Sequence, residues 1–213
     1  MIMNNLPPRL STQRAEKSVC LILEGYEEEF YFKRLQSLPI FSRVYNIKLI
    51  NAKSASNIPA RYQAALASDS YAIVLIVCDM DRTPDQYNYI VREIKNILGT
   101  ENAEKIITFT RPCTLQIILL HFGEVKLNTQ AKAVAREDVE RLTGVQHYDA
   151  HQDQLETICG KIFFRSWGEF IQRLKLLSKN SDDIPSSNIG ALFEKLCSDD
   201  FKWIDDINAS ILY

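Results

Sequence analysis

Short apolar runs alternate with amphipathic stretches over the first part of the chain. SVCLIL (18–23) is a β-branched-rich run of the kind carried by a strand buried on both faces. EEEFYFKRLQSL then places Phe30, Leu35 and Leu38 at helical spacing, with a tight turn expected at Gly25 between the two elements. VYNIKLINA (44–52) alternates as a strand, ASNIPARYQAALAS (55–68) reads as an alanine-rich helix, and SYAIVLIVCD (70–79) is the most apolar strand. PDQYNYIVREIKNILG (84–99) is a helix opened by proline and closed on Gly99. AEKIITFT (103–110) makes a fourth strand, and LQIILLHF is a buried helix after Pro112.

Strands alternating with helices in this way predict a doubly wound α/β fold with a mostly parallel, four-stranded sheet covered on both faces. Beyond Gly123 the strand runs fade, and REDVERLTG, WGEFIQRLKLLSKN and NIGALFEKLCSD read as amphipathic helices. The expected organisation is an N-terminal tail over 1–17, an α/β core over 18–123, and a helical C-terminal extension over 124–213 packed on the core.

With 46% hydrophobic and 24% charged residues the chain has the composition of a soluble globular protein. No apolar run approaches the roughly 18 to 20 residues needed to cross a bilayer, so no membrane partner is expected. The opening MIMNNLPPRLSTQRAEKS lacks the apolar core and cleavage site of a signal peptide, which makes a cytoplasmic location the expectation. Cys20, Cys78, Cys113, Cys159 and Cys197 are scattered with no CxxC pair, and read as small buried thiols rather than zinc ligands or disulfides. A net charge of −2 lacks the broad basic footprint of a protein that grips nucleic acid unaided. A polyanion would have to be met by a local patch, a metal or a partner.

In an open parallel sheet, ligands bind at the carboxyl ends of the strands. That rule selects Glu24 after the first strand and Asp79 and Asp81 after the third. The period-two spacing of Asp79 and Asp81 points both carboxylates to one side of an extended segment, and gathering them costs repulsion unless a cation offsets it. Oxygen-only ligands suit Mg2+ or Mn2+. Glu27, Glu28 and Glu29 have a plainer reading as first-turn acids that complement the helix dipole, and Asp85 as a helix-start residue.

LILEGYEEEFYFKRL followed by IVLIVCDMDR resembles the Toprim catalytic domain, in which a Glu-Gly turn after one strand and an Asp-x-Asp after another assemble a magnesium site. More closely the chain resembles the RloB-like family of small prokaryotic Toprim proteins, whose first motif begins EGxxTE. RPCTLQIILLHFGE (111–124) is similar to that family's NPCFExWLLLHF signature, and IPSSNIGALFEKL (184–196) to its serine-rich turn before the last helix. The resemblance spans residues 18 to 198 and implies a Toprim-like fold. Residue by residue, Glu24 matches the Toprim glutamate, Glu29 the second acid of EGxxTE, and Asp79 and Asp81 the aspartate pair. Four positions depart from the pattern: Glu28 stands for threonine, Arg111 for asparagine, and Thr114-Leu115 for the family's Phe-Glu, so that Leu115 replaces an acid.

The resemblance implies phosphodiester cleavage in an anti-phage defence or toxin system, with an ABC-type or AAA-type ATPase as partner and DNA or RNA, including tRNA, as substrate. Glu24, Asp79 and Asp81 would be catalytic; Glu24, Glu29, Asp79 and Asp81 would hold the metal. Arg82, beside the aspartates, and Arg111, at the end of the fourth strand, would hold substrate phosphate through their planar donor forks. The alternative is a catalytically degenerate binding or regulatory subunit of an ATPase complex, which Leu115 favours. A homodimer is a further open state.

His121 sits on an apolar helix and is expected to be a hydrogen-bonded core residue, and His147 and His151 to lie in a solvated loop. KIFFRSWGEFIQRLKLLSKN interleaves cations with Phe163, Phe164, Trp167 and Phe170. Their helical spacing favours core packing with a basic outer face over a nucleic-acid surface.

Overall fold

The computed structural model describes residues 18–81 and 83–212, so the tail over 1–17 lies outside the described residues. Strand β1 (Ser18–Leu23) is buried at all six positions. Successive strand side chains point to opposite faces, so this burial means that both faces of the sheet are covered at β1. β3 (Ile73–Asp79) is buried from Ile73 through Cys78, whereas β2 (Asn46–Asn51) starts with alternating exposed and half-buried positions, as an edge strand does. β1 runs parallel to β2 and β3, and β3 parallel to β4 (Ile107–Arg111).

The strand order is β2-β1-β3-β4-β5. From β1 the chain steps outward to β2, returns past β1 to β3 and continues to β4, so the winding reverses between β1 and β3. At such a reversal the connections leaving the carboxyl ends diverge and open a crevice. Helices α1 (Tyr26–Ser37), α2 (Ile58–Ala67) and α3 (Asp85–Leu98) form the crossovers. α1 packs against α4 (Thr114–Leu119) and α6 (Gln152–Gly160), and α2 against α3.

Two differences from the sequence expectation have physical causes. The strand expected over 103–110 begins at Ile107, because 101–106 winds into a 3-10 turn that buries Ala103 and Ile106. Among the described residues the sheet has five strands rather than four. β5 (Ser186–Ser187) runs antiparallel to β4, pairing Ser187 with Thr110 and Ser186 with Arg111. Two serines carry no apolar period, so nothing in the pattern marks them as a strand. The Ser187 hydroxyl donates to the Phe109 carbonyl at 2.6 Å, and just beyond β5 the Asn188 amide accepts from the Phe109 N–H at 2.8 Å and donates to the Ile107 carbonyl at 3.1 Å. Side chains thus continue the ladder where the strand stops.

The C-terminal extension also supplies α5 (Lys132–Thr143), α7 (Trp167–Lys175), α8 (Ile189–Cys197) and α9 (Lys202–Leu212). Aromatic side chains seal it to α1. The Tyr31 hydroxyl meets His121 Nε2 at 2.9 Å, and the His121 ring stacks face to face on Phe170 at 3.7 Å. His121 is the buried core histidine expected: burial, reinforced by Arg173, lowers its pKa to about 3, so the ring is neutral. No helix among the described residues is long and apolar enough to cross a membrane.

Replacing Asn188 by alanine strips the edge of β4 of one acceptor and one donor, at about 1–3 kcal/mol. The expected outcome is a lower urea midpoint with an unchanged m-value; an unchanged midpoint would show that the Asn188 bonds contribute nothing net.

Candidate metal centre

β1 and β3 end side by side, and the residues that follow them meet over the crevice. Glu24 donates its N–H to the Val77 carbonyl at 3.1 Å and accepts the Asp79 N–H on Oε2 at 3.0 Å, so its side chain spans the gap between the strands. Asp79 is held through one oxygen. Its Oδ1 accepts from Thr110 Oγ1 at 2.7 Å, from the Thr114 N–H at 2.8 Å and from Thr114 Oγ1 at 2.9 Å. Three donors converging on Oδ1 fix the side chain and leave Oδ2 without a hydrogen bond among the described residues.

The first turn of α1 closes the crevice. Glu28 is only 2% exposed, and its Oε2 accepts the Gly25 N–H at 2.8 Å. Gly25 itself is extended, with φ −148°, rather than in a left-handed turn. One oxygen each from Glu27, Glu28 and Asp79 come together within 4.8 Å of one another. Oxygens on opposite sides of a magnesium ion are about 4.2 Å apart, so this set needs only small side-chain rotations to share one. The donors are all carboxylate oxygens, the chemistry that hard divalent cations take.

The electrostatics point the same way. Burial, then the charge of Glu28, raises the Glu24 pKa to about 7; the Asp79 N–H opposes the shift and Asp81 adds to it. Burial, then Glu28, Glu24 and Glu27, pushes Asp79 well above the usual carboxylate range, against the pull of Thr110. Asp81, half-buried just past the end of β3, is raised by burial. Such crowding keeps some of these groups protonated unless positive charge enters the crevice.

Of the residues expected from sequence, Glu24 and Asp79 are in direct contact, and Asp81 lies close enough for its charge to act on Glu24. Glu29 is engaged elsewhere: its Oε2 accepts from Asn51 Nδ2 at 2.6 Å and its Oε1 pairs with Lys33 at 2.7 Å. Partial burial raises its pKa, but these two donors outweigh that and lower it. The α1 acids gathered with Asp79 are therefore Glu27 and Glu28, in place of the expected Glu29. Arg111 is buried, and its Nη1 donates to the Ser181 carbonyl, which commits the guanidinium to the segment before β5. Arg82 lies outside the described residues. Leu115 is buried in the core, and its neighbour Thr114 is the residue that meets Asp79. His147 has φ 53° and His151 precedes α6, so the pair does not share a helix.

Glu28 and Thr114 lie within the quoted motifs only as departures from them, and Thr110 lies in none. A signal for Glu28 is nonetheless present, because it shares the apolar face of α1 with Tyr31, Phe32 and Leu35 at the i+3, i+4 and i+7 positions, all of them buried. An acid on a buried face needs a partner.

An open recess of about 370 Å³, lined by Tyr26, Glu27, Ala150, His151, Gln152 and Leu155, flanks the carboxylates. A separate apolar cavity of about 210 Å³ between α7 and α8 contains none of them. No family model, curated protein or solved structure matches the chain.

Glu24 and Asp79 bind their protons more tightly folded than unfolded. The contribution of Glu24 to stability is therefore greatest below its unfolded value of 4.5 and falls as pH rises from there towards about 7, and that of Asp79 falls in the same direction as pH rises. Metal-free protein is expected to lose thermal stability over that interval. Glu24→Gln should flatten the loss and raise stability at pH 8 by about 1–3 kcal/mol, and a thermal denaturation profile unaltered by this substitution would contradict the crowding.

Proposed function

We propose that the protein is a metal-dependent phosphodiesterase that cleaves nucleic acid through a Toprim-like site, and that it serves as the nuclease of a prokaryotic defence or toxin system of the RloB-like kind, controlled by a partner ATPase. The observation that carries the reading is the convergence of Glu24, Glu27, Glu28 and Asp79 where the winding reverses, with Asp79 immobilised through Oδ1 alone. Crowded, desolvated carboxylates have no structural role that a neutral side chain would not fill at lower cost.

A divalent ion, when bound, would supply polarisation of the phosphate and stabilisation of charge on the attacking and leaving oxygens. Glu27, Glu28 and Asp79 are the residues to hold it. Thr110 and Thr114 fix the orientation of Asp79. Glu24, held beside Asp79 through the Asp79 N–H, is the group to take the proton of a water whose oxygen bonds to phosphorus as the bond to the leaving sugar oxygen breaks. Asp81 borders the crevice, and Arg82 keeps the phosphate-binding role given by its position beside the aspartates.

Leu115 favours the second reading, a site without cleavage that serves to dock on an ATPase. Glu28 weighs against it, because it brings to the crevice an acid that the RloB-like pattern does not have at that position.

The test is an assay of purified protein, alone and with its partner ATPase, on DNA, RNA and total tRNA with Mg2+ or Mn2+. Metal-dependent cleavage is expected. Glu24→Gln should lose about 10²–10⁴ of the rate. Cleavage undiminished in the Asp79→Ala/Asp81→Ala protein would sink the mechanism. A further expected outcome is that Mn2+ raises the melting temperature of the wild type and leaves that of Glu28→Gln/Asp79→Asn unmoved; a metal-induced rise without cleavage would support the docking subunit instead.

A further inference from the structure

The stretch KIFFRSWGEF is divided by the fold. Trp167 and Phe170 join the aromatic cluster around His121, as core packing predicts. Phe163 and Phe164 do not, and stand 50% and 51% exposed where the chain leaves α6. The Arg165 guanidinium lies 5.4 Å from the centre of the Phe163 ring and the Arg34 guanidinium 6.0 Å from it. Arg34 is fixed there by the Ile162 carbonyl, through Nε at 2.9 Å and Nη2 at 2.6 Å. Lys161 is exposed alongside, with Nζ on the Thr143 carbonyl at 2.7 Å. Among the described residues no carboxylate forms a salt bridge with Arg34 or Arg165.

The patch is tied to the metal centre through α1. α6 packs along α1, beginning at the recess beside Tyr26 and Glu27 and ending just before Ile162, which is bonded to Arg34. Glu27 and Arg34 are seven residues apart on α1, which is about 10 Å along the helix axis.

We infer that Phe163 and Phe164, with Arg34, Arg165 and Lys161, form a stacking platform for unpaired nucleotides of the strand whose phosphate is cut at the Glu24 and Asp79 crevice. The identity of the ligand rests on the nuclease reading. The chemistry of the patch is its own: exposed rings offer faces on which any base stacks, and cations beside them meet the backbone. A duplex hides its base faces within the stack, so the platform selects single-stranded DNA or RNA, loops and ends. It also supplies the local basic patch that a chain of net charge −2 needs in order to meet a polyanion.

The test is fluorescence anisotropy with labelled oligothymidylate and oligouridylate in EDTA. Both rings are exposed, so Phe163→Ala/Phe164→Ala should fold with an unchanged melting temperature and bind about 5- to 150-fold more weakly. Arg165→Ala should reduce the salt slope of binding by about 0.7. Unchanged affinity in the double variant, or a duplex bound as tightly as the single strand, overturns the platform. So does self-association, or binding of the partner ATPase, that the double substitution abolishes while oligonucleotide affinity stays at the wild-type level. The two readings fail separately. Wild-type cleavage and binding in the double variant would remove the platform and leave the nuclease, whereas weakened binding in that variant with no cleavage by the wild type would keep the platform and remove the nuclease.

Discussion

Two carboxylates that repel each other stand at neighbouring strand ends because hydrogen bonds leave them no other position. Glu24 is tied to the backbone of Asp79, and Asp79 to three donors from β4 and α4. Each tie runs between elements, so the bonds that create the crowding also set the relative positions of β1, β3 and β4 at their carboxyl ends. What resists the repulsion is the unbroken burial of β1 and of β3 up to Cys78, where each apolar side chain taken from water is worth about 1.5–3 kcal/mol. A centre of this kind needs a rigid sheet beneath it.

The near-neutral charge and the acidic crevice would together discourage a polyanion, yet the surface is not uniform. Acids converge at the start of α1, while Arg34 and the cations after α6 lie two turns further along. Helix α1 therefore carries the two chemistries on one rigid element, and its seam with the C-terminal extension through Tyr31, His121 and Phe170 keeps the register between them. His121, neutral and enclosed, acts in that seam as an aromatic surface with one hydrogen bond.

The four longer strands and their crossover helices were legible because their apolar runs are long and their periods differ. Glu24 and Asp79 were legible because strand ends mark the crevice of a parallel sheet. β5 was not, since its two residues are held by an edge and by hydroxyl bonds that leave no hydrophobic trace. Glu28 was hidden behind a good alternative, because an acid in a first helical turn ordinarily needs no further explanation. Glu29 shows the converse: its place in the sequence directed attention to it, while Asn51 and Lys33 engage both of its oxygens. The spacing of Phe163 and Phe164 matched a buried helical face, while the turn after α6 turned both rings to solvent.

The pairing of β5 with β4 sets an order of events in synthesis. Thr110, which orients Asp79, sits on a strand whose outer edge is braced by Ser187 and Asn188, and Ser187 lies 78 positions after the Phe109 carbonyl it holds. A ribosome therefore releases every acid of the crevice long before it releases the brace that gives them their geometry. A nascent or prematurely terminated chain carries the carboxylates without the finished centre. Maturation of the site is in this way tied to the emergence of Ser187 and Asn188, a built-in delay for a cluster whose acids all precede Thr110.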